Sequence, residues 1–189
     1  FNMLTQTVTA TGMAMWPHFA KARADGRVES PFGAAAAFAA SGGALGVCLA
    51  AVAPWAAPLL SKGQIVLPTA LLMANVANVV VEAAKQPLGM YMTDPRGLRA
   101  QMLPVIILVP MNLALSWVLI TPLGAAGPIA GSVIAVIVCQ LVPYALWVSG
   151  DLRRRHAQDG RDDAEAALGG YDPEAVASES VPAPPDGAG

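Results

Sequence analysis

The stretch "ANVANVVVEAAK" (residues 74–85) places two amides, a carboxylate and an amine in an otherwise aliphatic run. At the helical turn per residue, Asn75, Asn78, Glu82 and Lys85 fall within an arc of about 80°. Near the start of the chain Asn2, Thr5, Gln6 and Thr9 fall within about 100° on a second helix. Such faces are suited to donating to and accepting from a hydroxyl-rich or cationic substrate, and Glu82 is a group that can take up a proton. Polar side chains at membrane depth are costly, and they face a bundle interior or an aqueous cavity. Glu82 and Lys85 are also spaced as a structural ion pair three residues apart. Asn112 and Ser116, one turn apart, and Gln140 are suited either to the same pathway or to hydrogen bonds between helices.

Other chemistry has no residues to carry it. The sequence has no Gly-rich phosphate loop, no metal-ligand spacing and no Ser-His-Asp set. His18 and His156 are the only histidines, and both fall at or beyond helix ends. Cys48 and Cys139 lie in apolar segments and read as small packing residues. The expectation is a protein that is not an enzyme, with no cofactor, no metal and no nucleic-acid partner.

The elements that position these residues follow from composition. Of 189 residues 55% are hydrophobic and 13% charged, with mean hydropathy +0.52. A soluble domain carries roughly 25% charge. Long gaps separate the charges: none but Cys48 titrates between Glu29 and Lys62, and none between Lys62 and Glu82. From Arg99 to Asp151 the titratable groups are Cys139 and Tyr144. With about 20 residues needed to cross ~30 Å of hydrocarbon, the chain reads as an all-α, polytopic membrane helix bundle. About five transmembrane helices are expected, at 1–19, 32–55, 65–88, 99–120 and 128–149.

Five crossings sort the basic residues. Lys21, Arg23, Arg27, Lys85, Arg96, Arg99, Arg153 to Arg155 and Arg161 fall on one side, and Lys62 on the other. That bias is the positive-inside pattern and puts the C-terminus in the cytoplasm of a cell with a multi-pass inner membrane. In "MWPHFAKARADGR" Trp16 belongs at the headgroup level, Pro17 loosens the helix, and His18 is interfacial. Lys21, Arg23 and Arg27 then face anionic membrane lipid, as topogenic charges or as contacts for a substrate headgroup. Residues 151–189 are expected to be a cytoplasmic, mostly disordered tail, because Ala, Gly, Pro and acidic residues bury too little apolar surface.

Gly42 with Gly46, and Gly127 with Gly131, repeat small residues at a spacing that lets helices approach closely. Pro54, Pro58, Pro68, Pro104, Pro110 and Pro143 lie within or beside helices and mark candidate kinks.

"MWPHFAKARADGR" and "PLGMYMTDPRGLRAQMLPVIILVPMNLALSWVLITPLGAAGPIAGSVIA" together resemble the polysaccharide flippases of the superfamily that includes the multidrug and lipid II exporters. Asn112, Leu115, Ser116, Gly124, Gly127 and Gly131 carry the likeness, which covers about residues 1–150. The resemblance implies twelve or more helices in two lobes, with this chain forming most of the second lobe of a larger transporter. It implies alternating access to a lipid-linked oligosaccharide held between lobes, for surface polysaccharide and lipopolysaccharide biosynthesis. The opening on Phe1, already within a helix, agrees with a piece of a longer polypeptide. A cation-coupled multidrug exporter of the same superfamily, and a non-transporting scaffold for glycan-assembly proteins, are the competing expectations.

Overall fold

The computed structural model describes residues 1–27, 29–62, 64 and 67–169, without the side chains of Arg23 and 166–169. Every regular element among them is helical. Phe1–Leu152 forms one compact unit, and a second begins at Arg153.

The helix expected over 1–19 is two: α1 (Asn2–Met13) and α2 (Trp16–Ala24). Between them the N–H groups of Ala14 and Met15 donate to Thr11 and Gly12 at 3.2 and 3.0 Å, a tightened turn. Pro17 accounts for the break, since it has no N–H for the Met13 carbonyl and its ring crowds that carbonyl. Near the start of α2 the same proline is well tolerated.

α3 (Phe32–Leu60) runs past the expected end at 55. It carries Pro54 and Pro58 within it and stops where Lys62 takes φ 52, a backbone state that no helix continues through. α4 (Thr69–Tyr91) starts after an extended Pro68 and ends three residues beyond the expected 88. Of its expected first residues, 65 and 66 lie outside the described residues. α5 (Pro95–Leu123) starts four residues before the expected 99. Its N-cap is Asp94, whose carboxylate accepts the Gly97 N–H at 3.2 Å, with Pro95 as the first helical residue.

A 3-10 turn at Gly124–Ala126 reverses the chain, with Gly124 at φ 54. α6 (Gly127–Val136) then returns along α5, a π-helical segment follows at Ile137–Leu141, and α7 (Val142–Gly169) completes the described chain. Of the tail 151–189, expected to be mostly disordered, the part as far as Gly169 is helical, and 170–189 lie outside the described residues. Ala, Gln, Arg and Glu favour the helix, and extending an existing helix is cheaper than nucleating one.

The close packing rests on the small residues. A Cβ on Gly42 would stand 2.9 Å from the Ala83 Cβ, and Gly46 faces Val76, so α3 lies against α4. A Cβ on Gly131 would stand 2.8 Å from the Ser116 nitrogen, and one on Gly127 would meet the Leu119 carbonyl, so α6 touches the α5 backbone itself.

α4 is the central element, packed on α1, α2, α3 and α6. At one end of the bundle Phe19, Ala35, Leu88, Tyr91, Met92, Tyr144, Val148 and Leu152 form a buried cluster. Phe19 and Tyr91 meet edge to face at 6.0 Å there, and the Tyr91 hydroxyl donates to Asp151 at 2.9 Å. On α5, by contrast, Gly97 is the one buried residue. Among the described residues two helical stretches are long and apolar enough to cross a membrane: Phe32–Leu60 and the continuous helical run from Pro95 to Glu165.

Candidate functional site

α4 turns its aliphatic side toward α3 and leaves a polar side between α1 and the π segment. Asn75, Asn78, Glu82 and Lys85 are all half-buried along it. The sharpest constellation lies at its lower half. The Lys85 ammonium donates to both Glu82 oxygens, at 2.9 Å (Oε1) and 2.8 Å (Oε2), and to Gln140 Oε1 at 2.9 Å. The side chains of Lys85 and Glu82 keep only 19% and 18% of their exposure. Gln140 is 8% exposed and is the buried polar residue of the bundle among those described.

Gln140 owes its position to local backbone geometry. It belongs to the π segment Ile137–Leu141, where one wider turn shifts the register of side chains that follow. Such turns concentrate at functional positions. Here the turn brings an amide oxygen to an ammonium 55 residues away in sequence.

The second polar face meets the first at one point. Gln86 Nε2 donates to Thr9 Oγ1 at 3.2 Å, and beside it a Cβ on Gly12 would stand 2.7 Å from Gln86 Cβ. Thr5 and Thr9 donate their hydroxyls to the Phe1 and Thr5 carbonyls at 3.3 and 2.9 Å. Asn2 and Gln6 are exposed on the bundle surface. Asn75 donates to the Leu71 carbonyl at 2.8 Å, so half of its capacity is spent within its own helix. Gln86 was not among the residues singled out from sequence, although it falls only about 20° from Asn75 on the helical wheel.

Asn112 stands apart. Its Oδ1 accepts from Ser132 at 3.0 Å and from Ser116 at 3.3 Å, which ties α5 to α6 rather than to the α4 face. Ser132 is the partner that spacing alone did not reveal. The basic loop also divides. Lys21 is exposed, the Arg23 side chain lies outside the described residues, and Arg27 is engaged by Asp25 at 3.1 Å and Glu29 at 3.9 Å. His18 is paired with Glu29 at 2.7 Å.

Among the described residues no group of His, Cys, Asp and Glu is arranged to hold a metal ion. What the α4 face offers is a strip of amides with one neutralised ion pair, met by the Thr9 hydroxyl of α1. Comparison of the chain with protein-family models, with curated proteins and with solved structures found no match.

Proposed function

We propose that this chain is part of an exporter in a bacterial inner membrane, carrying a polyprenyl-linked oligosaccharide across the bilayer by alternating access. The carrying observation is the half-buried polar side of α4, flanked by Thr9 of α1 and Gln140 of the π segment. Amides and hydroxyls along such a side match the hydroxyls of a glycan and tolerate its sliding, because no single contact dominates.

The membrane crossings in this reading are the α1–α2 segment, α3, α4, α5 and the α6–α7 segment. Its charge distribution supports it: Lys21, Arg96 and Arg99 gather where Phe19 and Ala100 pack against the end of α4, and Lys62 follows the opposite end of α3. Residues from Arg153 onward belong to the cytoplasmic side. Membrane lipid and the lipid-linked oligosaccharide are the ligands, and glycan-assembly enzymes are the neighbouring proteins.

A cation-coupled drug exporter calls for a buried carboxylate free to bind its ion. Glu82 is held by Lys85 at 2.8 Å, which weighs against that reading. The test is the fate of lipid-linked oligosaccharide in cells lacking the gene. The expected outcome is accumulation on the cytoplasmic leaflet with loss of surface polysaccharide. Unchanged glycan, with new sensitivity to cationic dyes, would sink the proposal in favour of drug export.

A further inference from the structure

The first turns of α5 carry two cations with no partner among the described residues, Arg96 and Arg99, both exposed. The carboxylate adjacent in sequence, Asp94, accepts the Gly97 N–H as the helix cap. Arg99 heads a stripe. At about 100° per residue, Met102, Leu103, Ile106, Leu113 and Trp117 all lie within about 60° of it. Every one is exposed: Met102 62%, Ile106 66% and Trp117 81%.

The stripe has the length and ends of a lipid-facing surface. The eighteen residue-to-residue steps from Arg99 to Trp117 rise about 27 Å, close to the ~30 Å of a hydrocarbon core. A cation stands at one end and an indole at the other, the side chains that settle at membrane interfaces. Close to the cationic end, Leu98, Gln101, Met102, Val105 and Ile106 line a groove of about 290 Å³. Gln101 fixes its inner wall by donating to the Met92 carbonyl at 2.9 Å, which pins the start of α5 to the end of α4.

The occupant follows from this chemistry. A partner helix in a membrane is recognised through repeated small residues or interhelical hydrogen bonds, and between Met102 and Trp117 the stripe carries only Ala114 at its edge and no hydrogen-bonding side chain. A flexible hydrocarbon chain needs only apolar grooves, and positive charge from Arg99, one turn before Met102 of the groove, and from Arg96, one turn before Arg99, selects a negative headgroup. We infer that the start of α5 binds an anionic glycerophospholipid, its phosphate on Arg99 and Arg96 and one acyl chain in the Met102–Ile106 groove. The inference rests on the membrane reading above but not on the transported substrate.

Native mass spectrometry of the intact protein in detergent, titrated with dioleoyl phosphatidylglycerol or dioleoyl phosphatidylcholine, tests it. The anionic lipid is expected to be retained at roughly tenfold lower concentration than the zwitterionic one. Arg96→Gln with Arg99→Gln should abolish that preference, and Arg96→Lys with Arg99→Lys should keep most of it. Ile106→Trp, which fills the groove, should weaken retention with both cations intact, and Lys62→Gln should change nothing. Equal retention of the two lipids overturns the inference. So does displacement by glycerol 1-phosphate at matched concentration with Ile106→Trp silent, which would mean an anion site without a lipid chain. Alkaline carbonate extraction, run in parallel, separates the failures: release of the unsubstituted chain from membranes would defeat the membrane reading itself.

Discussion

At the residue scale the ammonium of Lys85 is the most constrained charge in the bundle, held by two carboxylate oxygens and one amide oxygen. Removing one member of a buried ion pair leaves the other unpaired in low dielectric, at a cost of about 3–5 kcal/mol when burial is complete. With nearly a fifth of each side chain still exposed, Lys85→Met is expected to lower stability by about 1–3 kcal/mol, read as thermal unfolding in detergent. Glu82→Gln combined with Lys85→Met should recover most of that loss, because no isolated charge remains. Export measured on the same variants separates structure from transport: a double variant that regains stability but not export places the pair in the pathway. Gln140→Leu should cost about 1 kcal/mol, the net value of a single hydrogen bond. Sequence spacing sufficed to pair Glu82 with Lys85, three residues apart on one helix. It marked Gln140 for the pathway or for a bond between helices but did not give its partner, because that approach depends on how α6 and the π segment return along α4.

At the element scale the glycines decide how closely helices lie. Gly131→Ala would force a Cβ to within 2.8 Å of the Ser116 nitrogen and 3.1 Å of the Leu115 carbonyl carbon, both backbone atoms that cannot rotate away. A loss of about 1–3 kcal/mol is expected from such overpacking. Gly150→Ala meets nothing within 4 Å and should be neutral or stabilising by up to about 1 kcal/mol, as alanine replaces glycine in a helix. Thermal unfolding of the two variants side by side checks both signs, and equal effects would show that the α5–α6 contact is looser than described. The small-residue spacing was legible beforehand, whereas the helix start at Asp94-Pro95 was missed because hydropathy alone set the boundary at Arg99. The break at Ala14–Met15 was also written in Pro17. Hydropathy concealed it, because apolar character continues across a backbone interruption.

At the scale of the whole molecule the question is which faces meet water, lipid or protein. In a variant with the exposed Cys48 replaced by alanine, Asn78→Cys should react with a charged, membrane-impermeant thiol reagent. Leu113, 71% exposed on the apolar stripe of α5, should as Leu113→Cys react only with a lipid-soluble one if that stripe faces lipid. An unreactive Asn78→Cys would mean that the α4 face is covered by protein, as a scaffold requires, and would remove the aqueous pathway. Protection of that site by a glycan substrate would, in turn, tie the polar face directly to export.

What the sequence determined by itself is the helical class: its long charge gaps call for apolar helices, two of which are long enough to cross a membrane among the described residues. It also determined the composition of each helical face, because period and residue type are local properties. Only the tertiary structure decided which faces meet. Gln86 finds Thr9 across 77 residues, Lys85 finds Gln140 across 55, and Asn112 finds Ser132 on the returning helix rather than the face of α4. The reason is geometric. A hydrogen bond at 3 Å depends on the angle and depth at which two helices cross, and those are set by glycines, prolines and one π turn acting together.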